Sequence, residues 1–67
     1  MINWEKAENA NSLKIYLKNG EIISGSGNGL EIGEEIGEEE DLFFIWTKNN
    51  EPMSLLVKDI DFVEILD

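Results

Sequence analysis

Leu13-Lys14-Ile15-Tyr16-Leu17-Lys18-Asn19-Gly20-Glu21-Ile22-Ile23 is the stretch whose pattern decides the fold. Leu13, Ile15 and Leu17 fall on one side of an extended chain and Lys14, Tyr16 and Lys18 on the other, which is the alternation of a half-buried strand. Asn19-Gly20 follows at once. Both residue types tolerate positive φ, so the pair predicts a type I′ hairpin turn into a second strand at Glu21-Ile22-Ile23. Towards the N-terminus, Asn3 is placed to cap a helix running through Asn11, with Glu5 in its first turn and Trp4 and Ala7 on one face. The alternation of Ile2 and Trp4 also permits a strand there.

Towards the C-terminus, five of the six glycines fall at 25, 27, 29, 33 and 37. Glycine inside a strand marks bulges and sharp bends, so the second strand is expected to be long and strongly bent. An acidic connection from Glu34 to Asp41 leads to a strand at Leu42 to Lys48 that is apolar on both faces until Thr47. Asn49-Asn50 makes the next turn, Pro52 opens a strand continued by Met53 to Lys58, and Asp59-Ile60-Asp61 makes a corner before Phe62 to Leu66. The expectation is one mainly β domain over residues 1–67: a short N-terminal helix within 1–11, then a five-stranded, strongly bent antiparallel barrel over 13–66.

Composition narrows the chemistry. The chain of 67 residues carries fifteen Asp or Glu against five Lys, with no Arg, His or Cys, for a net charge of −10. Such a chain makes one thin-cored domain, burying roughly 60% of the surface that its unfolded form exposes. It has no disulfide framework, thiolate nucleophile, imidazole base or nitrogen-sulfur zinc site. Its longest apolar run, Leu42 to Trp46, falls far short of the roughly 20 residues that span a bilayer, and Met1-Ile2-Asn3-Trp4-Glu5 does not read as a signal peptide. A soluble cytoplasmic protein is expected. At 42% apolar residues the chain can offset its conformational entropy and fold. The negative surface disfavours direct contact with nucleic acid or lipid headgroups, since the lysines make only a small basic patch.

Seven of the eleven residues from Glu31 to Asp41 are acidic: Glu31, Glu34, Glu35, Glu38, Glu39, Glu40 and Asp41. Two roles fit them. One is a surface that imitates phosphates and occupies a basic groove on a partner; the other is a solvated loop that keeps a small protein soluble, the commoner outcome for such runs. Carboxylates also suit calcium, but the alternating Asp/Asn spacing and central glycine of an EF-hand loop are missing, so no metal or other cofactor is expected. Gly25-Ser26-Gly27-Asn28-Gly29 lacks the Gly-Lys-Ser/Thr ending of a phosphate-cradling loop and reads as the strand bend. The aromatics offer a base-stacking platform in principle, yet a domain this small needs most of them for burial or subunit contact. A chain of this size offers no cleft for acid and base carboxylates at defined separation, so an enzyme is not expected.

Leu17-Lys18-Asn19-Gly20-Glu21-Ile22-Ile23-Ser24-Gly25 resembles the first signature of Sm-like proteins, an Asn-Gly turn with a further glycine five positions after the turn glycine. Gly29-Leu30-Glu31, Val57-Lys58-Asp59, Phe62 and Ile65 are similar to later positions of that pattern, and the likeness covers residues 13 to 66. It implies a small SH3-like barrel. The family's RNA pocket is not matched, because Ile32 and Gly33 follow Glu31 and Asp59 stands where the corner glycine would be. The Sm-like group also includes small acidic inhibitors of nucleic-acid-binding proteins, in particular the Rho-termination inhibitor family. The resemblance and the charge together imply a non-enzymatic interaction protein that docks its acidic face on a basic protein partner and regulates it. The alternative is an Sm-like ring that binds RNA or a small nucleotide with Lys14, Lys18 and Lys58, joined by Lys48, as the available cations. Apolar residues on both faces of Leu42 to Trp46 and Met53 to Val57 add the expectation of a homo-oligomer.

Overall fold

A computed structural model describes residues 2–67; the part of the expected helix that falls on Met1 lies outside the described residues. Asn3 caps the helix as its sequence implies, its side-chain oxygen accepting from the Lys6 N–H at 3.1 Å. The helix, α1, covers only Trp4–Glu8. It stops well before Asn11 because the Asn9 side-chain amide takes the Glu5 carbonyl at 2.9 Å, while the Ala10 carbonyl is diverted to the Gly27 N–H at 2.9 Å.

Five strands follow: β1 Leu13–Leu17, β2 Ile22–Glu31, β3 Leu42–Thr47, β4 Pro52–Leu56 and β5 Ile60–Ile65. They form one antiparallel sheet in the order β4-β3-β2-β1-β5. The mainly β fold with a short helix is as expected, but the sheet is not a closed barrel. β4 and β5 are its two unpaired edges. The chain passes between them through a single 3₁₀ turn, Val57–Asp59, rather than through the expected corner at Asp59-Ile60-Asp61. The Val57 N–H donates to the Asp41 carbonyl at 3.0 Å and the Asp59 carbonyl accepts from the Lys18 N–H at 2.9 Å. The turn is therefore tied to both halves of the sheet, and its backbone is committed to those ties instead of to a ladder between the edges.

The β1–β2 hairpin differs from a type I′ turn. Of Asn19 and Gly20 only the glycine has positive φ, +95°, and the loop is Lys18-Asn19-Gly20, closed by Gly20 N–H to Leu17 carbonyl (3.0 Å) and Leu17 N–H to Glu21 carbonyl (2.9 Å). The apolar pattern is the reason. The observed register pairs Ile15 with Ile23 and Tyr16 with Ile22. A two-residue loop would set Ile15 against Ser24 and turn half of the apolar set away from the core. Thr47 to Glu51 repeats the same three-residue loop, with Asn50 at φ +60° in the place of Gly20. β3 consequently ends sooner than expected, before Lys48, and β4 ends before Val57, where the 3₁₀ turn begins.

Asn28 is the bend of β2. Gly27 pairs with Ile45 and Gly29 with Phe44, so Asn28 is an extra residue on its strand, and Gly29 takes φ +149° beside it. The sheet folds over its concave face, where Leu13, Ile15, Phe43 and Ile45 are fully buried with Ala7 of the helix, joined by Ala10, Ile60 and Val63. Trp4 tilts against Phe43 at a ring-centroid distance of 5.2 Å. The expected two-sided burial of β3 is partial: Leu42 and Phe44 are half-buried on the outer face, but Trp46 is 41% exposed. Among the described residues no helix is long and apolar enough to cross a membrane.

Candidate functional site

The acidic segment is a folded lobe. Glu31 ends β2, and Gly33–Ile36 form a 3₁₀ turn carrying Glu34 and Glu35. Gly33 is buried so tightly that a Cβ there would collide with the Glu40 and Glu38 carbonyls. Its N–H donates to Asp41 Oδ1 at 2.8 Å and its carbonyl accepts from the Glu38 N–H at 2.8 Å, while Gly37 reverses the chain at φ +78°. The lobe is thus closed from within.

These bonds sort the seven carboxylates. Asp41 is a brace rather than a contact surface, since its side chain holds Gly33 and its carbonyl holds Val57. Glu40 pairs with Lys58 at 3.3 Å across exposed surface, a contact that contributes little to stability. Glu34, Glu35, Glu38 and Glu39 remain exposed, and Glu31 is half-buried at the base. Glu31, Glu38, Glu39 and Glu40 rim a shallow hollow of about 710 Å³ whose apolar lining comes from Ile36 and Leu42. Among the described residues no three acidic side chains converge closely enough to hold a metal ion. The arrangement matches a long cationic side chain, with apolar surface for its methylene stem and carboxylates for its head.

Lys14, Lys18 and Lys58 do not gather into one site. Lys58 is engaged by Glu40, and Lys18 sits with Leu17, Asn19 and Asp59 in a separate depression. Lys14 shares a hollow of about 350 Å³ with Lys48, Ser24, Ser26 and Trp46 at the opposite end of the β2–β3 hairpin from the acidic lobe. This grouping was hidden in the sequence, because Lys14 and Lys48 are distant along the chain. It becomes visible only once Gly25 is known to pair with both Leu13 and Thr47. No protein-family model matches the chain, and no characterised protein or solved structure does.

Proposed function

We propose that this chain is a non-enzymatic interaction protein that docks its 31–41 lobe on a basic surface of a protein partner, in the style of the small acidic inhibitors of the Sm-like group, which its charge fits. The observation that carries the reading is the lobe's internal bonding. The Asp41–Gly33 and Glu38–Gly33 bonds hold the exposed glutamates in one arrangement, and a docking surface gains from such preorganisation because it lowers the ordering cost of association. Ile36, 52% exposed among four exposed glutamates, supplies an apolar contact at the tip. Self-association belongs to the same proposal, supported by Ile22 and Phe62, 59% and 52% exposed on the outer face, and by the open edges of β4 and β5.

Reversal of Glu35, Glu38 and Glu39 to Lys tests the docking role. The reversed chain is expected to keep its circular dichroism spectrum and to lose the protein that the parent captures from its native extract. The parent complex should loosen as salt rises, because contacts between exposed charges are screened beyond a Debye length of roughly 8 to 10 Å. Undiminished capture by the folded, reversed chain would return the lobe to the role of a solubilising loop.

A further inference from the structure

Lys14 lies opposite Ser24 in the β1–β2 register, and Ser26 lies opposite Trp46 in the β2–β3 register. Lys48 follows Thr47, the partner of Gly25, as the first residue of the β3–β4 loop, and it lines the same hollow as Lys14, Ser24 and Ser26. β1, which carries Lys14, and β3, which ends next to Lys48, lie on either side of β2 at a spacing of roughly 4.8 Å each, a gap that two lysine side chains can close on a single anion.

Acidic residues outnumber lysines three to one in this chain. Among the described residues the ion pair is Lys58–Glu40, and Lys14 and Lys48 make none. Glu64, across the strand from Lys14, accepts instead from the Tyr16 hydroxyl at 3.1 Å. Beside the cations, Trp46 shows 41% of its surface, with small Ser26 on one neighbouring strand and Pro52 on the other. Among the described residues the Trp46 indole has no aromatic partner, whereas Trp4 and Tyr16 each have one.

From this juxtaposition we infer that the hollow over Ser24 and Ser26 binds a mononucleotide, its phosphate held between Lys14 and Lys48 and its base stacked on Trp46. Two ammonium groups with adjacent hydroxyls provide charge-assisted donors for a phosphate monoester. An exposed indole stacks any base, so the site is tolerant of base identity. The volume, about 350 Å³, falls within the range of small-ligand pockets, roughly 300 to 1,000 Å³. Ligand size is limited by the rest of the surface: a single nucleotide touches only the cationic hollow, but a longer strand must run over a protein of net charge −10.

Titration of the full chain with AMP and with UMP at low salt, followed by amide shifts and the Trp46 indole N–H in heteronuclear NMR, tests the assignment. Saturable shifts at Ser24, Ser26, Trp46 and Lys48 are expected for both nucleotides. Lys14→Gln and Lys48→Gln should each weaken binding about tenfold, the scale of one charge-assisted contact, and Lys18→Gln should leave it unchanged. Trp46→Leu should erase the preference for a nucleotide over inorganic phosphate. Absence of saturation into the millimolar range overturns the inference, as does indifference to the two Gln variants. Inorganic phosphate binding as tightly as AMP would remove the base from the site, and an oligouridylate binding tighter than UMP would make it a nucleic-acid surface; both results overturn the mononucleotide assignment. The Glu35, Glu38 and Glu39 reversal lies at the other end of the hairpin, so failure here and failure of the docking role are separable.

Discussion

Gly20 and Asn50 occupy the same position in two copies of one loop, Lys-Asn-Gly-Glu and Lys-Asn-Asn-Glu, and only the first uses the residue that left-handed backbone favours. Asn tolerates φ +60° better than other side chains but still pays for its Cβ. Asn50→Gly is therefore expected to stabilise the fold by up to about 1 kcal/mol, and Gly20→Val to destabilise it by roughly 1 to 3 kcal/mol, both read from urea unfolding midpoints. The Asn-Gly pair made this hairpin legible in the sequence, but not its length, which the pairing of Ile15 with Ile23 decides. Tyr16 offers a second test at this scale because it is the sole tyrosine. The hydrogen bond to Glu64, then desolvation and the Glu64 charge, hold its phenol above the ordinary value. A pKa raised on folding means that the contribution to stability is complete below the unfolded value, about 10, and is lost as pH climbs through the folded value. Phenolate absorbance should appear at higher pH in the folded chain than in urea, and Glu64→Gln, which removes the Glu64 charge, should narrow the gap between the two titrations.

At the scale of elements, the glycines of β2 serve different neighbours. Gly29 supplies a backbone angle next to the Asn28 bulge, whereas Gly27 supplies clearance: its Cα faces the last turn of α1, and a Cβ there would strike the Ala7 carbonyl and the Glu8 backbone. Gly27→Ala should push the helix off the sheet, lose the Gly27 to Ala10 bond and cost roughly 1 to 3 kcal/mol, the range for overpacking a close contact. A urea midpoint equal to the parent's would show that α1 is not clamped there. Near-ultraviolet circular dichroism should change with it, since Trp4 rides on the helix against Phe43. The strand bend was legible from the glycine cluster, because few other roles require so many. The helix end was not, because Asn9 and Ala10 stop it through bonds to Glu5 and to a residue of β2 that local pattern does not reveal. The same blindness applies to the acidic lobe. Its charge is plain in the sequence, but the removal of Asp41 from the contact surface follows from a bond to Gly33 that only the folded chain displays.

For the whole molecule, the sequence carries the strand count and the mainly β class, while closure depends on where two edges end up after every intervening turn. The Val57–Asp59 turn spends its backbone bonds on Asp41 and Lys18, leaving β4 and β5 open. Those edges and the exposed Ile22 and Phe62 favour self-association, but each copy brings a charge of −10 to the encounter. The two forces respond to salt in opposite ways. Screening weakens the repulsion between copies and leaves apolar contact intact, so the proposed homo-oligomer should strengthen as salt rises from tens to hundreds of millimolar. Docking of the acidic lobe on a basic partner should weaken over the same range, because there the screened term is the attractive one. Light scattering across a salt series is expected to show the mass per particle climbing at high micromolar concentration, and Phe62→Glu, which places charge on the open edge strand at the end of the row formed with Tyr16 and Ile22, should hold the chain at monomer mass. A parent that stays monomeric at every salt concentration would refute self-association and leave the open edges to be guarded by net charge alone.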